Sequence, residues 1–393
     1  MSNIIGIDIG TTNIEYCYSN SQTGYKALYV ERNPLSRYGL DVMTRITKAN
    51  SGLLEEMSKI LRESLRFRIN ELIHEYTKQL KPAQYTNSGC PLPPNAWTNS
   101  FVLIQHEIKI AANTTMIHIL MNYDCTNLGS FPFSPVHTEE IRTDAVALGL
   151  SSEAIPLTIT PGLSAFVGGD IVSGLRTIPD EDNYLLIDLG TNAEMVLVYG
   201  DTAYITSAAA GPAFETCSYG HATDAVDGLV HMLETGIIDE TGLLCDEYFE
   251  DGYSCNNMYF SQKKIRDFQM AKSAIRTGID LLVKSVYSDD TSVSFTYTDI
   301  SGNPSATPKP SMLSNLKIYI AGTFGANLSI TSAIRLGMFP KWFDGHCKAL
   351  GNTSLAGTLI ENENFSIFQK NIREIVLANL PDFNDHYISN MNF

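Results

Sequence analysis

The chain reads IIGIDIGTTN over residues 4–13, and it reads YLLIDLGTNA over residues 184–193. The second copy lies 180 positions after the first and shares its aspartate, glycine and threonine at the same spacing. In each copy an apolar, β-rich run leads to a Gly-Thr turn and then to another β-rich run. This pattern is typical of a hairpin whose first strand is buried. The sequence therefore predicts two related hairpins, one in each half of the chain.

Both turns carry groups that suit a phosphate. Glycine permits a tight turn and a close approach to a ligand, and the amides and polar side chains that follow it can donate to phosphate oxygens. The predicted phosphate-binding residues are Gly10, Thr11, Thr12, Asn13, Gly190, Thr191 and Asn192. Asp8 and Asp188 end the buried strands, where a carboxylate is costly unless it is paired, and hydrated Mg²⁺ is a suitable partner. Two purely structural hairpins are the alternative, and the repeat favours phosphate binding.

A third segment, LKIYIAGTFGAN, occupies residues 316–327. A buried strand that opens through two glycines onto a helix N-terminus can hold a purine or a sugar against the backbone. The residues predicted to do so are Gly322, Thr323, Phe324 and Gly325. The alternative is a strand-to-helix turn that needs small residues only for packing. Neither a G-x-x-x-x-G-K-[ST] loop nor a G-x-G-x-x-G helix start accompanies the Gly-Thr turns, which argues against P-loop and dinucleotide folds.

Composition narrows the class of protein. The chain has 393 residues, 44% of them apolar, which is enough for two domain cores. No apolar run approaches the roughly 20 residues that span a bilayer, and no basic leader opens the chain, so we expect a cytoplasmic protein that does not bind membranes. A net charge of −16 disfavours nucleic acid. Seven dispersed cysteines without a C-x-x-C pair predict reduced thiols and no iron–sulfur cluster in this chain.

Together, the three segments resemble the actin-like ATPase superfamily of sugar kinases, actin and chaperone ATPases. The resemblance implies an α/β protein with a two-lobed, duplicated actin-like (ribonuclease H-like) fold and with ATP and Mg²⁺ in an interlobe cleft. It places a first lobe with a helical insert at residues 1–177 and a second lobe at residues 178–393. Within the second lobe, the helical region 351–393 is expected to pack back toward the hinge.

Six further segments, in order along the chain, are similar to the ATPase domain of reductive activators of corrinoid proteins. They are residues 33–46, 113–118, 131–135, 166–172, 209–215 and 271–275. In that family, ATP binding and hydrolysis let the activator return an oxidised cob(II)alamin on a methyltransferase-system protein to the cob(I) state. The resemblance implies an ATPase whose partner is a corrinoid protein or a methyltransferase component. Because the chain has no cysteine cluster, a separate protein is expected to donate the electron.

Four other residues are assigned roles near the nucleotide. Gly211 suits a close approach of the backbone, and the resemblance places Lys272 on the nucleotide side, with a solvated helix lysine as the alternative. Glu215 is either a carboxylate behind the metal or an acid in the first turn of a helix. Asp170 either orients a water or partner group or acts as a helix N-cap.

Two other functions remain open at this point. One is a small-molecule kinase with Asp170 as general base, and the other is a non-catalytic, nucleotide-binding regulatory protein. The sequence also leaves a homodimer open. Among secondary-structure elements, it predicts helices over 40–80, over 262–285 and near Asn113, whose side chain is the expected N-cap. It predicts strands over 101–110 and 184–207, an exposed loop over 81–95, and a surface hairpin with a flexible loop over 288–312.

Overall fold

A computed structural model describes residues 3–20, 26–79, 105–179, 181–211, 222–288, 316–361 and 365–393. The chain divides into two compact units. Unit 1 comprises Met1–Asp170 with Thr358–Glu361, and unit 2 comprises Ile171–Gly357 with Asn362–Phe393. In the described part of the chain, no helix is long and apolar enough to cross a bilayer. The predicted loop over 81–95, most of the loop over 288–312, and Glu215 lie outside the described residues.

Unit 1 contains a six-stranded sheet. Its strands are β1 (Asn3–Ile9), β2 (Asn13–Asn20), β3 (Lys26–Arg32), β4 (His106–Ala112), β5 (Ile141–Asp144) and β6 (Pro156–Ile159). Their order in the sheet is β3-β2-β1-β4-β6-β5. The first three strands form an antiparallel meander, whereas β1, β4 and β6 run parallel to one another. The carboxyl ends of these three parallel strands therefore share one edge of the sheet.

Helices of unit 1 cover this sheet. They are α1 (Val42–Lys48), α2 (Leu54–Gln79), α3 (Thr114–Met121) and the first two residues of α4 (Gly169–Leu175). The predicted helical stretch 40–80 is confirmed, but a π turn at Ala49–Leu53 divides it, and there Gly52 has a φ of 95°. Glycine accepts this backbone conformation without the steric cost that other residues carry. The apolar stripe of α2 is buried in the core, as predicted.

Unit 2 contains a second six-stranded sheet and a small hairpin. The strands are β7 (Asn183–Leu189), β8 (Ala193–Tyr199), β9 (Thr202–Ala208), β10 (Tyr253–Cys255), β11 (Met258–Phe260), β12 (Lys317–Ala321), β13 (Cys347–Gly351) and β14 (Asn371–Glu374). The large sheet has the order β13-β12-β7-β8-β9-β14, and β10 pairs with β11. Strands β7, β8 and β9 form an antiparallel meander, and β12 runs parallel to both β7 and β13.

The helices of unit 2 include the predicted helix over 262–285, and two of the other predictions need correction. The helices are the rest of α4, α5 (Ala222–Glu234), α6 (Gln262–Ser288), α7 (Gly322–Gly325), α8 (Ile330–Arg335), α9 (Thr353–Thr358), of which the last residue belongs to unit 1, and α10 (Phe383–Ser389). The predicted helix after β12 is broken, since the Ser329 side chain caps a new helix by accepting a hydrogen bond from the Ser332 amide. Region 351–393 contains strand β14 as well as helices.

The two sheets repeat one topology. In each, a three-stranded meander begins with a central strand, β1 or β7, and the next parallel strand, β4 or β12, pairs with its other side. The register also repeats, because Asp8 lies opposite Glu15 and Asp188 lies opposite Glu194. This repetition confirms the two hairpins and a mixed α/β fold with a duplicated sheet. The first turn is longer, because Ile9 pairs with Ile14 whereas Leu189 pairs with Ala193.

Candidate functional site

In unit 1, the predicted residues meet at the edge where β1 and β4 end. Asp8 is half-buried and lies opposite Ala111 in the parallel pair of strands. Asn113, the residue after β4, caps α3 by accepting a hydrogen bond of 2.9 Å from the Met116 amide. Its amide group also donates to Oγ1 of Thr11 over 3.3 Å. Ligand sites of open α/β sheets form at this kind of edge, so the register brings the first carboxylate and the first glycine turn together there.

Two residues that the sequence analysis did not assign to the site hold this turn. Asn33 donates from Nδ2 to the carbonyl of Gly10 over 2.7 Å and from its backbone amide to the carbonyl of Thr12 over 2.8 Å. Arg45 donates from Nη2 to the carbonyl of Thr11 over 2.6 Å. Both residues fall in the segment 33–46 that resembles the activator family, which was the available signal, although it gave no role for either side chain.

Asp170 reaches the same edge of unit 1 through two glycines. A Cβ atom on Gly168 would lie 2.6 Å from Cα of Asn113, and one on Gly169 would overlap the carbonyl oxygen of Thr160. These close approaches leave no room for a side chain, and half-buried Asp170 follows directly. Helix α4 begins at Gly169, so Asp170 lies in its first turn. The interpretation of this residue as the N-cap is therefore wrong, although an acid in the first turn is favoured by the helix dipole.

In unit 2, the second and third predicted segments meet at the corresponding edge. Asp188 lies opposite Ala321 in the parallel pair β7 and β12. Gly322 has a φ of +86°, and a Cβ atom there would lie 2.6 Å from Oδ1 of Asp188 and would overlap the carbonyl oxygen of Leu189. A Cβ atom on Gly325 would lie 2.7 Å from Cγ2 of Ile320. The need for small residues in packing is thus confirmed, and the same glycines leave a backbone surface beside Asp188.

The second turn and the start of α7 show different exposures. Gly190 is exposed, and its amide donates to the carbonyl of Asn192 over 2.8 Å. Thr191 is buried and Asn192 is half-buried. On α7, Thr323 is exposed, whereas Phe324 packs into the core of unit 2. Among the predicted residues of this unit that the structure describes, Gly190 and Thr323 are therefore the exposed ones.

Lys272 is buried on α6, with 2% of its surface exposed. Its Nζ donates to the carbonyl of Asn392 and lies 5.5 Å from the ring centroid of Phe393. Burial, and to a lesser extent the nearby charge of Arg276, together lower the pKa of this amine to about 7. The interpretation of Lys272 as a solvated helix lysine is wrong. Its predicted contact with a nucleotide stays a prediction.

Gly211 is the last described residue before position 222. Its φ is +71°, and a Cβ atom there would meet no atom within 4 Å. The backbone conformation accounts for glycine at this position, and the described residues contribute no close packing around it. Its approach to a nucleotide stays a prediction, as does the role of Glu215.

The chemistry of the two edges fits phosphate and hydrated magnesium. Among the described residues, the amides of Thr11 and Thr12 have no hydrogen-bond acceptor, and amides in such a turn are suited to an anion. No group of three or more His, Cys, Asp or Glu side chains in the described ranges could hold a metal ion. Magnesium bound with a nucleotide takes one or two carboxylates and keeps several waters. Asp8 in unit 1 and Asp188 in unit 2 are each a donor of that type, and a role of either residue toward a metal stays a prediction.

Two regions of one protein family, RACo, match successive parts of the chain. Residues 4–87 and 104–179 match the RACo middle region, and residues 182–241 and 311–393 match the C-terminal domain of RACo, the ASKHA domain. The corrinoid activation enzyme RamQ of Eubacterium limosum is 25% identical over an aligned length of 461 residues, which covers 99% of this chain and 70% of RamQ.

A solved structure of a reductive activator for corrinoid, iron–sulfur protein has the same fold. Its TM-score to this chain is 0.76 at 22% identity, over 100% of this chain and 66% of that chain. The chain thus spans about two thirds of the length of each of these two relatives.

Proposed function

The chain belongs to the actin-like ATPase (ASKHA) superfamily and carries the middle region and the C-terminal domain of RACo, and we propose that it binds Mg-ATP and activates a corrinoid protein. One observation supports the nucleotide part above the others. Within each unit, a carboxylate and a glycine turn lie at the same edge of a sheet, and in unit 2 the Gly322 turn adjoins them. The similarity to RamQ along almost the whole chain supports the corrinoid part.

In this proposal, the residues of unit 1 bind phosphate. The amides of Thr11 and Thr12 donate to phosphate oxygens, and the Asn113 side chain keeps the hydroxyl of Thr11 in place. Asp8 would hold hydrated Mg²⁺ through hydrogen bonds to its carboxylate. Asn13 and Asp170 complete the group in this unit, with Asp170 orienting a water or a partner group.

The residues of unit 2 bind phosphate and adenosine. The carboxylate of Asp188 would likewise accept hydrogen bonds from hydrated Mg²⁺, and the turn at Gly190 contributes polar groups that donate to phosphate oxygens. The backbone at Gly322 leaves room for the adenosine because no side chain projects there. The other residues assigned to nucleotide binding are Thr191, Asn192, Gly211, Glu215, Lys272, Thr323, Phe324 and Gly325.

Phosphoryl chemistry depends mainly on positioning and on charge stabilisation, so a nucleophilic triad is not required. When bound, Mg²⁺ neutralises charge on the phosphate oxygens. The chain's own residues bind and orient the triphosphate, and hydrolysis changes how the corrinoid protein is held. A separate protein donates the electron that returns cob(II)alamin to cob(I).

The test has two steps. Calorimetric titration measures the binding of ATP with and without Mg²⁺, and no binding at millimolar Mg-ATP would eliminate the proposal. Candidate corrinoid proteins are then mixed with the chain, ATP and a low-potential reductant, and the visible absorption of the corrinoid reports conversion of cob(II) to cob(I).

Activation by this chain predicts a conversion that depends on both the chain and ATP. Partner binding without hydrolysis would indicate a nucleotide-binding regulator instead, and phosphorylation of a sugar or a short acid would indicate a kinase. Co-purification with a non-hydrolysable ATP analogue identifies the partner.

A further inference from the structure

Asn33 and Arg45 donate hydrogen bonds to the backbone carbonyls of the first glycine turn, residues 10–12, and we call this pair of residues the clamp. We infer that these two are positioning residues, which fix the turn so that the amides of Thr11 and Thr12 face the phosphate. The inference rests on the proposed function, because it deepens the role of the same turn. Neither side chain needs to contact the nucleotide.

The clamp accounts for three consecutive carbonyl groups. Asn33 donates to the carbonyl of Gly10 from its side chain and to the carbonyl of Thr12 from its backbone amide, and Arg45 donates to the carbonyl of Thr11. All three acceptors are therefore directed toward the segment that contains Asn33 and Arg45. All three carbonyls thus accept hydrogen bonds, whereas the amides of Thr11 and Thr12 have no acceptor among the described residues.

The direction of each carbonyl also fixes the direction of the amide that follows it, because the peptide bond is planar. In a trans peptide, the C=O of one residue and the N–H of the next lie in the same plane and point in opposite directions. The peptide bonds of the turn are trans, since the cis bond found in the described residues joins Phe131 to Pro132. When Asn33 holds the carbonyl of Gly10, the N–H of Thr11 points away from the clamp. When Arg45 holds the carbonyl of Thr11, the N–H of Thr12 does the same.

Both clamp side chains are themselves fixed at a second point. Arg45 is fully buried, and it donates from Nε to the carbonyl of Gly39 over 3.0 Å and from Nη1 toward the sulfur of Met116 over 3.2 Å. Asn33 is 1% exposed, and its Oδ1 accepts from the Leu35 amide over 2.9 Å. The turn is thus held in place before a ligand arrives, which lowers the entropy cost of binding.

Arginine is suited to this position for a geometric reason. The planar guanidinium presents several N–H donors in a fixed arrangement, so one side chain can bind two carbonyls and a thioether at once. Lysine keeps the charge but offers its donors from a single nitrogen. The substitution Arg45→Lys therefore separates the charge from the geometry.

The test compares three variants of the full chain. Asn33→Ala removes the donor to Gly10 without adding a charge beside the turn, and Arg45→Lys keeps the charge but removes the fixed arrangement of donors. Arg62→Lys is the matched control, because Nε of Arg62 donates to the carbonyl of Leu120 over 2.8 Å in the same unit and, within the described ranges, no hydrogen bond joins Arg62 to the turn. Thermal unfolding without ligand measures stability, and calorimetry measures the Kd of Mg-ATP and of adenosine.

We expect the Kd of Mg-ATP to rise about tenfold in each of the two clamp variants, which corresponds to about 1.4 kcal/mol. The Kd of adenosine stays unchanged in both, because adenosine lacks the phosphates that the turn binds. Arg62→Lys leaves both constants unchanged. A purely structural role would instead lower the melting temperature with no selective loss of ATP affinity, and that result would overturn the inference.

The two proposals fail in different ways. If the unaltered chain binds no Mg-ATP, the proposed function is wrong and the clamp has no ligand to position. If the unaltered chain binds Mg-ATP and both clamp variants bind it equally well, only the clamp is wrong. Equal losses of ATP and adenosine affinity would also overturn the clamp, since they would indicate a general disturbance of the fold.

Discussion

Gly322 lies against the carboxylate of Asp188, so that a Cβ atom on this glycine would be 2.6 Å from Oδ1 of the aspartate. Parallel pairing of β7 with β12 produces this approach, because it sets Asp188 opposite Ala321. Two sequence segments that are far apart along the chain therefore form one surface in unit 2. The first prediction concerns the glycine in this contact.

Gly322→Ala is expected to weaken Mg-ATP binding at least tenfold and to lower stability. The new methyl group would overlap the Leu189 carbonyl, and the positive φ of 86° adds strain. Together these effects amount to roughly 2–4 kcal/mol. Calorimetry and thermal unfolding measure the two losses. The control is Gly200→Ala, where φ is +57° but no atom lies within 4 Å of a Cβ, so only the conformational strain remains. Wild-type affinity in Gly322→Ala would contradict the prediction.

Gly357→Ala is expected to destabilise unit 2 by about 1–3 kcal/mol or more, the usual cost of overpacking. A Cβ atom on Gly357 would overlap the carbonyl of Ser173 and would lie 2.6 Å from its Oγ. Denaturant unfolding provides the measurement. Ser173→Ala is the milder comparison, because it removes only the hydrogen bond of 2.7 Å from Oγ to the carbonyl of Ser354 and should cost about 1 kcal/mol. Equal stability of the two variants would show that the backbone at Gly357 can move away.

Asp8→Asn and Asp188→Asn are expected to lower Mg-dependent ATP hydrolysis by roughly tenfold to a hundredfold each, or about 1.4–2.7 kcal/mol. Asparagine keeps the size of the side chain but loses the charge that the hydrated metal prefers. Steady-state hydrolysis at several Mg²⁺ concentrations is the measurement. Asp201→Asn serves as the control, since this aspartate lies in the exposed turn between β8 and β9. Unchanged hydrolysis in both site variants would remove these residues from the proposed metal site.

The buried amine of Lys272 is expected to make stability depend on pH between about pH 7 and pH 10.5. Its pKa is lowered to about 7 by burial, from 10.5 for the ordinary amine. Between these values the unfolded chain binds the proton more readily, so this group adds to the free energy of unfolding as pH rises. Below pH 7 both states carry the proton and the contribution is constant.

Comparison with Lys272→Met isolates this effect from those of other groups. Denaturant unfolding of both proteins at pH 7 and pH 9 should show the stability difference, unaltered chain minus variant, growing by about 2 kcal/mol. A difference that stays constant would show that the amine ionises normally in the folded protein.

Much of the local structure followed from nearby residues. The helical period of α2, the cap at Asn113 and the two Gly-Thr turns depend on interactions across a few positions, and each was predicted correctly. The break at Gly52 and the new cap at Ser329 were missed. Each breaks a helix at a point where the apolar spacing of the sequence continues, so the periodicity did not predict either break.

Residues 4–13 and 184–193 were enough to predict the repeated hairpins and their glycine turns, because strand pattern and turn type depend on residues that are adjacent in the sequence. The partners of those turns came only from the folded chain. Asn33 and Arg45 reach the first turn from 23 and 34 residues away, and Lys272 is buried against a carbonyl 120 residues further on. Contacts at such separations depend on how whole sheets and helices pack, and no local pattern specifies that packing.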